Sequence, residues 1–111
     1  MTSRPQAKGD RAEREIAAIL AAELGWIIRR KLGVGRSDDT GDLDGIPDCV
    51  AQVKDYTDVL RAINDALNDL PVQRANAGTT HAVAFIRRRG GRWMAVMDVP
   101  TWATWAREAT R

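Results

Sequence analysis

The sequence contains almost none of the residues that build disulfides or zinc sites. Its single cysteine, Cys49, excludes a disulfide within the chain and is typical of a reducing compartment. Its single histidine, His81, leaves no Cys/His cluster with zinc-ligand spacing, and a lone histidine is more often structural than catalytic. We expect Cys49 to be a buried, inert thiol and His81 to have a structural role.

Long apolar runs are also missing. No run approaches the ~18–20 residues that a membrane-spanning helix needs, and the first ten residues lack the apolar segment of a secretory signal. No GxSxG or P-loop motif is present. We therefore expect a cytoplasmic protein with no membrane partner.

Charges are unevenly distributed, although the net charge is only +2. Residues 1–36 hold eight Lys and Arg against four Asp and Glu, residues 37–71 two against nine, and residues 72–111 seven against two. Two basic ends therefore flank an acidic middle. Such runs are commonly a solvated surface. The alternative is an acidic metal-binding centre whose basic flanks contact phosphates.

The acidic middle contains a predicted β-hairpin over residues 41–54. Gly, Pro and Asp cluster at residues 45–48, where they favour a turn, and valines follow in the second strand. If the hairpin is symmetric about Pro47, Asp42 lies opposite Gln52. This register decides which side chains share a face, because successive residues of a strand alternate between faces.

One face of the hairpin then carries Asp42, Asp44, Val50, Gln52 and Lys54, all of them polar except Val50. The opposite face is apolar and is predicted to be core: Leu43, Gly45, Cys49, Ala51 and Val53. Buried charge is costly unless it is paired or bound to a metal. The polar face is therefore either a functional site or an ordinary charged surface, and the residues alone do not separate the two.

A magnesium site is the chemistry that the polar face suggests. Mg²⁺ takes oxygen ligands, and the Asp42 carboxylate, the Gln52 side-chain carbonyl and the Val53 backbone carbonyl would supply three. Lys54 shares the face of Gln52. Its ammonium group could stabilise charge on a phosphate or orient an attacking water.

The first helix is predicted from Asp10 to about Leu24, after a flexible end at residues 1–7. Gly25 is a natural residue to stop it. Glu13 has two interpretations. It either forms a capping box with Asp10 or leans toward the hairpin as a further metal ligand.

The remaining elements complete one α/β domain that covers residues 1–111. We predict a strand at 26–32, a helix from about 58 to 76 with a kink or break at Pro71, strands at 80–87 and 93–99, and a last helix opening at Pro100. The apolar stripe of the second helix is expected to be Leu60, Ile63, Leu67 and Leu70. The order α, β, β, β, α, β, β, α predicts a mixed central sheet flanked by helices.

Basic side chains near the hairpin and in the last turn are the candidate nucleic-acid contacts. They are Arg29, Arg30, Lys31, Arg36, Arg87, Arg88, Arg89 and Arg92.

Several motifs together resemble the PD-(D/E)xK nuclease superfamily, and in particular the small phage-type and archaeal-type Holliday-junction resolvases. Lys8-Gly9 followed by Glu13-Arg14 is similar to the start of that family's first helix. Gly41-Asp42-Leu43 resembles its metal-binding aspartate, and Gln52-Val53-Lys54 falls on its Glu-x-Lys. The resemblance covers roughly residues 8–105.

The resemblance implies a restriction-endonuclease-like αβββαβ core and an Mg²⁺- or Mn²⁺-dependent endodeoxyribonuclease. It implies a homodimer that cuts four-way DNA junctions in recombination, in the host cytoplasm if the chain is phage-encoded. By position, Glu13, Asp42 and Gln52 would bind the metal and Lys54 would assist the water.

Gln52 departs from the family pattern, where most members have Glu. One negative charge is lost, so weaker metal binding or a different metal preference is expected. On the resemblance alone, Gln52→Glu should keep or raise activity with Mg²⁺. Two alternatives stay open: a related nuclease acting on another DNA structure or on RNA, and a DNA-binding module with a degenerate site.

Overall fold

A computed structural model describes residues 4–31, 39–88 and 91–111. Within these ranges the chain forms three helices and five strands. They are α1 (Arg4–Leu24), β1 (Arg29–Arg30), β2 (Leu43–Asp44), β3 (Cys49–Lys54), α2 (Val59–Ala77), β4 (His81–Arg87), β5 (Trp93–Val96) and α3 (Val99–Ala109). The predicted order of elements is confirmed, although β1 and β5 are shorter than expected.

The strands form one mixed sheet in the order β1-β2-β3-β4-β5. β3 and β4 pair in parallel, and the other neighbours are antiparallel. A parallel pair needs a crossover connection, and α2 supplies it. The predicted α/β class, with a mixed sheet flanked by helices, is therefore confirmed.

The hairpin has the register predicted from its turn residues. Leu43 pairs with Ala51, so the hairpin is symmetric about Pro47 and Asp42 lies across from Gln52. Two residues of the turn have positive φ, Gly45 at 113° and Asp48 at 52°. The Asp48 carboxylate bonds outside its own turn: it accepts the N–H of Thr80, 32 positions along the chain, at 2.9 Å, and so ties the turn to the start of β4.

Apolar side chains form two core clusters, one on each face of the sheet. The first lies under α1 and α3 and consists of Ile16, Ala17, Ile28, Leu43, Cys49, Ala51, Val83 and Phe85, with Trp105 of α3 packed against it. The second lies under α2 and consists of Val50, Ala62, Ala66, Leu70, Ala82, Ala84 and Ile86. Both faces of β3 are therefore covered, and its polar side chains Gln52 and Lys54 lie under α2, where both contact Asp69.

The first helix begins earlier than predicted. α1 includes Arg4, so Asp10 lies inside the helix and cannot be its N-cap. The capping-box interpretation of Glu13 is therefore wrong. The predicted end is confirmed, because Gly25 has a φ of 71° and its N–H bonds the carbonyl of Ala21 at 2.9 Å.

The second helix begins where it was predicted to begin, but the residues on its buried face differ from the predicted apolar stripe. Asp58 caps α2, and its side chain accepts the N–H of Arg61 at 3.1 Å. Of the kink or break predicted at Pro71, the break is wrong, because the helix continues through this residue, and the kink stays a prediction. Its buried residues are Ala62, Ala66, Leu70 and Gln73, whereas Leu60 is 73% and Leu67 40% exposed. Small alanines face the sheet because they allow the helix backbone to approach it closely.

His81 joins the sheet to the last helix. It is buried, its Nε2 lies 2.7 Å from a carboxylate oxygen of Glu108, and its ring stacks on Trp105 at a centroid distance of 4.6 Å. Through these contacts His81 packs α3 against β4, in agreement with the structural role predicted for this histidine.

Cys49 is expected to resist thiol reagents in the folded protein. Burial raises the pKa of its thiol to about 12, and the thiolate is the reactive form. At mildly alkaline pH, labelling by a disulfide reagent such as DTNB should be slower than in guanidinium chloride by roughly a hundredfold or more. Equal rates in the two solvents would contradict the burial of Cys49.

Candidate functional site

Asp42 is held against β3 by two hydrogen bonds, one from its backbone and one to its carboxylate. Its backbone N–H bonds the Ala51 carbonyl at 2.7 Å, and its side-chain Oδ2 accepts the N–H of Val53 at 2.8 Å. The preceding Gly41 has a φ of 90°, and a Cβ there would lie 2.9 Å from the Ala51 carbonyl oxygen. Glycine is therefore needed for β2 to approach β3 at the point where Asp42 enters the site.

The segment before Asp42 is anchored to α2. Gln73 donates its side-chain N–H to the Asp39 carboxylate at 2.7 Å, and Asn76 donates to the Asp39 carbonyl at 2.9 Å. Lys31 donates to the Thr40 carbonyl at 2.7 Å. These bonds fix where the chain enters β2 and thereby fix the position of Asp42.

Glu13 reaches the same site from α1. Burial raises the pKa of its carboxyl, the charge of Asp42 raises it further, and the Arg30 guanidinium opposes both. Arg30 Nε lies 3.5 Å from Glu13, and a second guanidinium nitrogen lies 2.7 Å from Asp10. The charge of Asp42 therefore acts on Glu13, whose carboxylate is paired with Arg30.

Asp42 is also held in an environment that disfavours its charge. Burial raises the pKa of its carboxyl and the charge of Asp39 adds to this, whereas the Val53 N–H and the charges of Lys54 and Lys31 oppose it. Two partly buried carboxylates with raised pKa values in one site are what a bound cation would stabilise.

Gln52 presents an unpartnered buried oxygen. The residue is 7% exposed, and its side-chain N–H donates to Asp69 at 3.4 Å. Its Oε1 has no hydrogen-bond partner. A buried carbonyl oxygen without a partner is costly, and coordination to a hard cation would satisfy it.

Lys54 lies beside Gln52 and is 6% exposed. Its ammonium donates to the Tyr56 hydroxyl at 3.1 Å and to Asp69 at 3.3 Å. Burial by itself would lower the pKa of Lys54, but these hydrogen bonds outweigh it and hold the pKa above its usual range. Lys54 is therefore a permanent positive charge in this site, suited to binding an anion and not to accepting a proton.

Asp69 and Tyr56 were not among the residues predicted from the sequence. Asp69 precedes the buried Gln73 by one helical turn, so the two share a face of α2, and this is the only signal in the sequence. Asp44, which shares the predicted polar face with Asp42, has a side chain that is 66% exposed and lies 3.6 Å from the Lys31 ammonium.

The residues predicted to bind the metal include few charged groups. Across residues 4–31, 39–88 and 91–111, no three His, Cys, Asp or Glu side chains gather closely enough to hold a metal ion. The site offers the carboxylates of Glu13 and Asp42, the amide oxygen of Gln52 and backbone carbonyls. Its donor set is all oxygen, which fits Mg²⁺ or Mn²⁺ and does not fit a soft metal.

The predicted nucleic-acid contacts fall into three groups. Arg29, Arg88 and Arg92 are exposed. Others are paired with acidic groups: Arg30 and Lys31 beside the site, and Arg87 with Glu15 at 3.0 Å. Arg36 and Arg89 lie outside the described residues. The exposed group is the part of this prediction best placed to meet a phosphate backbone.

An apolar cavity of about 520 Å³ lies on the other face of the sheet. It is lined by residues of α1, β4, α3 and the hairpin turn, including Leu20, Ile46, Phe85 and Trp105. Gln52 and Lys54 point to the α2 face, so this cavity and the polar site are separate.

Comparison of the chain with protein-family models, curated proteins and solved structures finds no match. None of the helices in the described part of the chain is long and apolar enough to cross a membrane.

Proposed function

We propose that the protein is a metal-dependent nuclease of the PD-(D/E)xK type that hydrolyses phosphodiester bonds in branched DNA. The observation that carries the proposal is the buried, unpartnered Oε1 of Gln52, across a hairpin from Asp42. The order of elements from α1 to β4 supports it, because it matches the αβββαβ core that the resemblance implies. The four-way junction as substrate and the homodimer rest on the resemblance.

The residues present fit a bound Mg²⁺ or Mn²⁺. Glu13, Asp42 and the Gln52 amide oxygen would hold it, with the Val53 backbone carbonyl as a further donor. When bound, such an ion makes a water more acidic and neutralises charge on the phosphate. The raised pKa values of Glu13 and Asp42 support this, because the ion would offset the cost of their buried charges.

Lys54 is the residue proposed to meet the reacting phosphate. Its ammonium stays protonated beside Asp69 and Tyr56. Its role is therefore to stabilise the negative charge on the phosphate while water attacks phosphorus, the water's proton passes to solvent and the P–O bond to the leaving sugar oxygen breaks. The carboxylate of Asp42 is held in a fixed position for binding the ion, because one of its oxygens accepts the Val53 N–H. Arg29, Arg88 and Arg92 supply exposed charge for the DNA backbone.

A DNA-binding module with an inactive site is the second candidate. It is favoured by the presence of only two carboxylates, Glu13 and Asp42, in the donor set. Such a module would bind DNA equally well with Mg²⁺ or EDTA.

The proposed function is tested on a labelled four-way junction beside a linear duplex of the same sequence, with Mg²⁺, Mn²⁺ or EDTA. We expect paired symmetric nicks in the junction with either metal, none with EDTA, and a dimeric mass in light scattering. Cutting of both substrates would indicate a nuclease of broader specificity. Tight binding without cleavage in any metal would replace the nuclease with the binding module.

A further inference from the structure

Asp69 of α2 contacts both polar side chains that β3 contributes to the site. One of its oxygens, Oδ2, accepts from the Gln52 amide nitrogen at 3.4 Å and from the Lys54 ammonium at 3.3 Å. Its side chain is 47% exposed, whereas that of Lys54 is 7% exposed. A single carboxylate at the rim therefore links two buried groups.

This contact determines which way the Gln52 amide faces. An ionised carboxylate only accepts hydrogen bonds, so the NH₂ end of Gln52 must point to Asp69. The carbonyl end then points away from Asp69, where Oε1 is buried without a partner. Without Asp69, nothing in these contacts would prefer this orientation over the flipped one.

Asp69 also replaces the charge that Gln52 lacks. A glutamate at position 52 would bring one negative charge on β3. Here the neutral amide is on β3, and the charge is one hydrogen bond away, on α2. The acidic balance around the site is kept, while the atom offered to a cation is an amide oxygen.

We propose that Asp69 is a positioning residue that orients the Gln52 amide oxygen toward a divalent cation and holds the Lys54 ammonium in place. Gln52 and Asp69 then act as a unit. This inference rests on the proposed function, because it assigns the unpartnered Gln52 oxygen to a metal.

The consequence reverses the expectation for Gln52→Glu drawn from the resemblance. In that single variant, two carboxylates would face each other where an N–H now bonds an oxygen, and their repulsion would push position 52 out of place. Gln52→Glu combined with Asp69→Asn restores the hydrogen bond with donor and acceptor exchanged. It also keeps the net charge of the site.

The test compares the wild type with Q52E, D69N and the double variant Q52E/D69N. The matched control is Asp65→Asn, one turn earlier on α2, where the carboxylate is 4.0 Å from Arg61. Single-turnover junction cleavage, calorimetric binding of Mn²⁺ alone and thermal unfolding in EDTA are measured for each protein.

We expect each single variant to lower the cleavage rate and the Mn²⁺ affinity by roughly 10- to 100-fold, the usual cost of losing a group that orients a metal ligand. The double variant should recover both to within about threefold of the wild type, and D65N should match the wild type. Unfolding in EDTA should show that every variant is folded at the assay temperature.

Three outcomes would overturn the inference: a Q52E variant as active as the wild type, a D69N variant that binds Mn²⁺ like D65N, or a double variant no better than the singles. Absence of cleavage by the wild type would instead count against the proposed function. If Mn²⁺ affinity still followed the reciprocal pattern in that case, Asp69 would keep its positioning role in a metal site of other use. If the wild type did not bind Mn²⁺ either, both proposals would fall.

Discussion

Asp42→Asn is expected to abolish metal-dependent cleavage, with a loss of at least roughly a thousandfold, while the protein stays folded. The amide removes one of only two carboxylates proposed to hold the ion, and Glu13 alone leaves too little negative charge. The asparagine Oδ1 can still accept the Val53 N–H that Asp42 now accepts at 2.8 Å, so the hairpin should be unchanged. Cleavage of the four-way junction with Mg²⁺ and with Mn²⁺ is the measurement.

The same variant is expected to be more thermostable than the wild type in EDTA at neutral pH. The pKa of Asp42 is higher in the folded protein than its ordinary 3.8, mainly because of burial. Its ionised form therefore costs stability above the folded-state pKa, and that cost disappears as pH falls below the ordinary value. The difference in Tm between variant and wild type should thus be a few degrees at neutral pH and shrink in acid.

Asp44→Asn is the matched control for both measurements. Its carboxylate lies on the same hairpin but is 66% exposed, so its loss should change neither cleavage nor the pH dependence of Tm appreciably. Full activity of Asp42→Asn would remove Asp42 from the site. A variant destabilised in EDTA at neutral pH would mean that the carboxylate stabilises the fold and is not a strained ligand.

Gly45→Ala is expected to destabilise the protein by about 3 kcal/mol or more. Gly45 has a φ of 113°, and a Cβ built there would overlap the backbone carbonyl oxygen of Ile27. The atoms that the new Cβ would meet belong to the backbone of Ile27 and Ile28. The overlap therefore cannot be relieved by rotating a side chain, and the backbone must move. Urea denaturation of the variant, compared with the wild type at equal m-value, gives the free energy of unfolding.

Gly78→Ala separates the steric effect from the conformational one. Gly78 also has a positive φ, 70°, but a Cβ there meets nothing within 4 Å. Its replacement should cost only about 1–2 kcal/mol for the left-handed backbone. If Gly45→Ala lowered the free energy of unfolding no more than Gly78→Ala does, the hairpin turn could not lie as close to Ile27 as described.

The hairpin was predictable because its information is local. Turn-forming residues within four positions of Pro47 set the register, and the register alone placed Asp42 opposite Gln52, as the Leu43–Ala51 pair now shows. The ends of α2 were predictable for the same reason. Asp58 and Gly78 act on backbone groups within one helical turn of themselves.

Helix faces were less predictable. The leucine stripe expected for α2 was wrong because the sheet selects small side chains at the contact: Ala62 and Ala66 are buried, and Leu60 is exposed. Asp10 resembled an N-cap in the sequence, yet it lies within α1 and pairs with Arg30, twenty residues away. No local pattern carries information about such a distant partner.

The sequence by itself determined the α/β class, the hairpin register and the candidate residues Glu13, Asp42, Gln52 and Lys54. Only the tertiary structure decided how their charges are balanced. Asp69 reaches Gln52 and Lys54 because the crossover helix lies over β3, although it is 17 and 15 positions further along the chain than these partners. Turn and cap preferences act within a few residues, whereas the partners of a buried polar group depend on which elements pack together. That packing is a property of the whole fold.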